Sequence, residues 1–168
     1  MTTTDDIKKE LDKAYSLVAD HKNYEAALTA CEAILETHPG LRAGLRTRAQ
    51  IYAHKAAFSQ AIADMTIAIQ AGPPEPSDYF FRGWWNLEDN RILDAIQDFT
   101  EAISLEERLG IYTFKESAYF FRAVASFRIG RYDDALADCK QVRDDFLIYL
   151  RSGLVSKAQI VRDASAKT

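Results

Sequence analysis

The side chains able to do acid–base, nucleophilic or metal chemistry are few in this chain and scattered. Its three histidines are His21, His38 and His54, and none stands in an HExxH pattern or another ligand spacing. The two cysteines, Cys31 and Cys139, form no CxxC pair. No Ser/His/Asp order suggests an activated nucleophile, and the glycines are scattered rather than gathered into a phosphate-cradling run. The expectation is a protein that is not an enzyme and uses no cofactor and no metal. The cysteines read as small buried hydrophobes. A disulfide between them would suit an exported protein, and the polar, acidic start MTTTDDIKKELDK does not read as a secretory signal.

One pattern of charges is regular. Arg48, Arg82 and Arg122 are each followed sixteen residues later by a carboxylate, at Asp64, Asp98 and Asp138. A guanidinium and a carboxylate at such a spacing can bridge two packed helices. That chemistry is structural: a buried pair sets register, and losing one partner strands a charge. The corresponding places earlier in the chain are Ala14 and Ala30, so both charges are present or both are absent.

The elements that would position these charges follow from internal repetition. The stretch YFFRGWWN (residues 79–86) returns forty residues later as YFFRAVAS (residues 119–126). Aligned on one alanine, NYEAAL, AFSQAI, RILDAI and RYDDAL give Ala27, Ala61, Ala95 and Ala135, spaced by 34, 34 and 40 residues. Four residues further on stand Cys31, Met65, Phe99 and Cys139, and three beyond those Ile34, Ala68, Ala102 and Val142, which is one face of a helix. Tyr15, Ala49, Gly83 and Ala123 occupy a column twelve residues before the alanines, small in three repeats of four. Pro39 and Pro73 mark where helices must stop.

A period of 34 residues with small residues where two helices touch resembles the tetratricopeptide repeat, a helix–turn–helix unit. The resemblance covers about residues 5–150. It implies an all-α fold, a right-handed α-solenoid of antiparallel helix pairs. Residues 1–168 would form a single domain with repeats at about 5–39, 40–73, 76–109 and 115–146. The first repeat departs from the pattern at Tyr15. After the fourth, the chain is expected to continue helical, with Phe146, Tyr149, Leu150 and Val155 covering the last repeat. A capping helix over about 154–165, started by Ser156, would present Ile160, Val161 and Ala164 on one face. Ser77 is the expected N-cap of the third repeat. Gly110 should end a helix. The extra residues before Lys115 hold Ile111, Tyr112 and Phe114, which either fold back on the repeats or offer a contact.

In this family the first helices line a concave groove. Carried onto this chain, the groove columns read Lys9, Asp12, Ser16, Ala19 and Asp20 in repeat one. In repeat two they read Ala43, Arg46, Gln50, Ala53 and His54. Repeat three gives Ser77, Phe80, Trp84, Leu87 and Glu88, and repeat four Ser117, Phe120, Val124, Phe127 and Arg128. The first half is polar and the second aromatic, and exposed aromatics with Arg are common binding hot spots. The groove is either open, with Trp84 meeting a ligand and Trp85 packing between repeats, or filled by the C-terminal segment or the 107–115 insertion. The columns that clamp a chaperone's C-terminal carboxylate read Asp12, Ser16, Thr47, Ser77 and Phe81 here, so that specificity is not expected.

The resulting expectation is a non-enzymatic protein–protein interaction module of adaptor, chaperone or toxin-immunity type. It would hold a peptide, helix or domain of another protein. The alternative is a structural protein forming a homodimer through its exposed aromatics or its C-terminal helix. A net charge of −4 with no basic stripe argues against nucleic acid. No apolar run approaches a membrane span, and a cytoplasmic protein is the simplest reading.

Overall fold

The structure is a computed structural model that describes residues 4–21 and 23–168, the side chains of residues 4 and 19–21 excepted. The expectations for the side chains of Ala19, Asp20 and His21 therefore lie outside the described residues. The chain divides into two compact units, residues 1–74 and 75–168.

The first unit holds two antiparallel helix pairs: α1 (Thr4–His21) with α2 (Tyr24–Thr37), and α3 (Arg42–His54) with α4 (Phe58–Gln70). Asn23 starts α2 by accepting a hydrogen bond from the Ala26 amide at 3.2 Å. Leu11, Ala14, Val18, Ala27, Leu28, Cys31, Ile34 and Ile51 close one core.

The second unit repeats the scheme with α5 (Pro76–Glu88) and α6 (Ile92–Leu109), then α7 (Lys115–Arg128) and α8 (Tyr132–Cys139). The helix α5 begins before the expected cap at Ser77. Pro76 occupies its first turn and Glu75 caps it, with the Asp78 carboxylate accepting from the Glu75 amide at 2.8 Å. Most of the insertion before Lys115 is spent lengthening α6 to 18 residues, ended by left-handed Gly110.

The segment after α8 is not helical, against expectation. Strands β1 (Leu147–Leu150) and β2 (Gly153–Ser156) form an antiparallel hairpin, followed by α9 (Lys157–Ser165). The reason is local. Phe146, Ile148 and Leu150 are buried while Leu147 and Tyr149 are exposed, a period-two pattern of β-branched, aromatic and aliphatic residues. Arg151 and Ser152 turn the chain, and Gly153 at φ +117° supplies the left-handed backbone that the turn needs. Tyr149, expected to cover the last repeat, points away from it for the same reason. Ser156 caps α9 through a 3.3 Å bond from the Gln159 amide, and Ile160 and Ala164 are buried beneath it.

The small-residue columns behave as close-approach positions. Ala27, Ala61, Ala95 and Ala135 have no exposed surface. A methyl group added at Gly83 would lie 3.0 Å from Asp98 Cβ and from Phe99 Cε1, so α5 and α6 touch there. The turns between paired helices also share a conformation: Ala56, Asn90 and Gly130 occupy one repeat column, and their φ angles are +57°, +61° and +78°. Asn and Gly adopt that region readily; Ala does so at a cost of about 1–2 kcal/mol.

Candidate functional site

Three bridges inside the repeats are bidentate. Arg48 donates from Nε and Nη2 to Asp64 at 2.7 and 2.8 Å. Arg82 meets Asp98 at 3.0 and 2.6 Å, and Arg122 meets Asp138 at 2.8 and 2.7 Å. The aspartates are buried. Asn86 adds a third donor to Asp98 at 2.9 Å, and Arg122 also reaches Thr100 at 2.9 Å. Burial pushes the Asp98 carboxyl upward, against the pull of Arg82 and Asn86. Each guanidinium also lies over a tyrosine ring, Tyr52, Tyr79 or Tyr119.

In the first repeat, where Ala14 and Ala30 replace that pair, a cleft of about 400 Å³ opens between α1 and α2, lined among others by Ile7, Leu17 and Ile34. The cysteines are buried and unpaired, and desolvation pushes both thiols up to about 11. Among the described residues no group of His, Cys, Asp and Glu has a metal-binding arrangement.

The aromatic positions do not line an open groove. Phe80, Leu87, Phe120 and Val124 are buried in the core of the second unit. Two pieces of the chain cover them. The insertion folds back, so that Phe114 stacks on Phe80 at 4.8 Å between ring centroids and meets Phe81 edge-on at 5.7 Å. The buried Glu106 carboxylate fixes this return by accepting the Phe114 amide at 2.7 Å. Ile111 and Tyr112 stay exposed.

The second cover is the β-hairpin. Phe146 packs edge-on against Phe120 at 5.3 Å, and Ile148 and Leu150 join the same core. Polar groups from the groove columns hold the hairpin turn. Glu88 accepts from the Arg151 amide at 3.0 Å, and Arg128 reaches Ser152 Oγ at 3.3 Å while also donating to the Leu87 carbonyl at 3.1 Å. Trp84 is half-buried beside Phe121 at 6.0 Å, and its buried indole N–H has no partner among the described residues. Trp85 is buried and stacks on Phe81 at 6.2 Å. Phe127 packs on Tyr132 at 5.5 Å. The hairpin was legible in the alternation Phe146, Ile148, Leu150 followed by Arg-Ser-Gly, a turn signal that the surrounding helical repeats obscure.

The groove columns of the first unit look different. Arg46 and Gln50 are half-buried on α3, and among the described residues of this unit no strand lies over them. Tyr15 and His54, both exposed, meet at 3.1 Å between Oη and Nε2.

No protein-family model matches the sequence, and no curated relative does. Solved structures do match. A MamA structure superposes with a TM-score of 0.76 at 16% identity, over 94% of this chain and 80% of that one. YrrB, described as a TPR protein with an unusual peptide-binding site, gives 0.66 at 18% identity over 79% of this chain and 64% of its own. PilW, a type IV pilus biogenesis factor, gives 0.67 at 19% identity over 80% and 59%. Likeness at such identities speaks for architecture alone, and together with the helix pairs, the close-approach alanines and the period of 34 it makes this an all-α chain with the tetratricopeptide-repeat fold.

Proposed function

We propose that the chain is a non-enzymatic protein-interaction module whose second unit receives an extended apolar segment across α5 and α7. One observation carries this reading. That seat already holds such a segment, the chain's own residues 146–150, with Phe146, Ile148 and Leu150 sunk into it at every second residue. A face that accepts Phe-x-Ile-x-Leu from its own chain has the shape and chemistry to accept a similar strand from a partner, once the hairpin withdraws. Polar bonds from Glu88 and Arg128 help hold the hairpin's turn. YrrB's description as peptide-binding is in keeping with this class of ligand. In this reading residues 1–168 work as one repeat domain capped by α9, and Trp84, with its unpartnered indole donor, borders the seat.

The test loosens the turn. A fluorescent heptapeptide of sequence DFLIYLR is titrated into the wild type and into a Glu88→Ala/Arg128→Ala variant, followed by anisotropy. The loosened variant is expected to bind at least tenfold more tightly, because the competing segment is held less firmly. Equal affinity for both proteins, or none for either, would overturn the reading.

A further inference from the structure

The seat across α5 and α7 fixes more than the apolar anchors of what lies in it. The chain crosses it in the direction of α7. The Arg143 amide donates to Glu116 in the first turn of that helix at 2.8 Å, Phe146 meets Phe120, and Ser152 reaches Arg128 at the helix end. Two groove-column side chains therefore touch the two residues that follow the last anchor, Leu150. Glu88 meets backbone: both its oxygens accept the Arg151 amide, at 3.0 and 3.3 Å, as they would from any residue but proline. Arg128 meets a side chain. Its Nη1 donates to the Leu87 carbonyl at 3.1 Å, which anchors the guanidinium at the end of α5 and leaves Nη2 for residue 152 of the occupant.

The chain itself offers a weak match there. Ser152 Oγ is a neutral acceptor at 3.3 Å, beyond the usual N–H···O range. Arg128 has no carboxylate partner among the described residues, whereas Arg48, Arg82 and Arg122 each hold one. A carboxylate accepts from a guanidinium at about 2.7–2.9 Å, and roughly twice as strongly as a neutral oxygen. Arg128 and Ser152 are exposed, so an acid placed there keeps much of its hydration and sets register and selectivity more than raw affinity.

We infer that the partner received by the proposed seat, on which this rests, is a protein segment with three apolar residues at alternate positions and Asp or Glu two residues after the third. Charge complementarity with Arg128 selects it. Ser152 is the chain's own weaker occupant of that place, which a partner's acid displaces, and a basic residue there meets like charge. A chain end at residue 151 would set its carboxylate beside that of Glu88, so the acid is a side chain.

The heptapeptide titrated above stops one residue short of this place. It is extended by Asp, Asn or Lys and amidated, giving DFLIYLRD, DFLIYLRN and DFLIYLRK; Asp and Asn differ in charge and hardly in shape. Each is titrated by anisotropy into Ser152→Ala, which frees Arg128 from the chain's own hydroxyl. The Asp peptide is expected to bind at least about threefold more tightly than the Asn peptide, and the Lys peptide most weakly. The preference should shrink as salt is raised. It should vanish in Glu88→Ala/Arg128→Ala and reverse in Ser152→Ala/Arg128→Glu, where the Lys peptide should bind best. Within the chain, Ser152→Asp should hold the hairpin down and weaken heptapeptide binding relative to Ser152→Asn by a similar factor. Circular dichroism checks that each variant is folded. Equal binding of the three octapeptides to Ser152→Ala, or a preference for Asp that survives the loss of Arg128, overturns the inference and leaves the seat itself standing. Failure of every peptide to bind any variant removes the seat, and the acid preference with it.

Discussion

The first helices of the two units carry the same repeat columns and put them to opposite uses. In the first unit the columns are polar, with Arg46, Gln50 and His54, and among its described residues no strand or long loop covers them. In the second they are Phe80, Leu87, Phe120 and Val124, and both the 110–114 return and the β-hairpin lie over them. The difference follows from water. Exposed polar side chains need no cover, whereas a contiguous aromatic strip on a monomer is either an interface or is buried. The repeat backbone is indifferent to the choice; side-chain chemistry in five columns decides whether the chain must supply its own lid.

Substitutions in two groove columns one helical turn apart make the sharpest break. Val124 and Gln50 are equivalents, and Phe120 lies one turn before Val124. Phe120→Ala should lower stability by about 3–5 kcal/mol through the cavity left against Phe146. Gln50→Ala should change it by less than about 0.5 kcal/mol. Urea unfolding separates them, and since Trp84 and Trp85 both lie in the second unit, tryptophan fluorescence reports that unit while circular dichroism reports both. Equal effects at the two sites would erase the contrast.

The bridges offer a comparison within the second unit. Arg82→Ala leaves Asp98 buried with only Asn86 as donor and should cost about 3–5 kcal/mol, whereas Arg143→Ala, which breaks exposed pairs with Glu116 and Asp145, should cost about 0–1 kcal/mol. An unchanged urea midpoint for Arg82→Ala would make the buried bridge ornamental.

A smaller effect, of opposite sign to the losses at Phe120 and Arg82, lies in the first unit. Ala56 adopts the left-handed conformation that Asn90 and Gly130 adopt in the second. Ala56→Gly should therefore stabilise by about 1 kcal/mol, read as a raised midpoint in circular dichroism without a change in tryptophan fluorescence. A loss of stability would mean that the turn tolerates Ala without strain.

Much of the architecture was legible because repetition turns one sequence into an alignment with itself. The alanine columns, the Arg–Asp spacing and Gly110 each recur or stand at a predictable break. The turn column holding Ala56, Asn90 and Gly130 was equally readable, since Asn and Gly in two copies mark a left-handed position. What escaped lay in stretches that do not repeat, although the helix started by Ser156 was read in one of them. The hairpin occurs once, so nothing reinforced its alternation against the helical expectation set by the preceding residues. The cap at Glu75 hid behind Ser77, a residue of better capping propensity but one position inside the turn that Pro76 had already begun. The cover over Phe80 and Phe120 was open in the sequence for a different reason. An aromatic strip at helical spacing looks the same whether solvent, a partner or the chain's own tail lies over it, and only the fold shows that Phe114 and Phe146 arrive there.

The guanidinium bridges also set how the second unit yields under load. Arg82–Asp98 and Arg122–Asp138 each tie a first helix to its own second helix, while Arg122 to Thr100 and Lys115 to Glu107 are polar ties from α7 back to α6. Helix pairs clamped internally resist splaying, so shear is taken up where one pair slides on the next, at the α6/α7 junction. Compliance at that junction would let two stiff pairs shift past each other without either coming apart, at the cost of the Arg122–Thr100 and Lys115–Glu107 bonds.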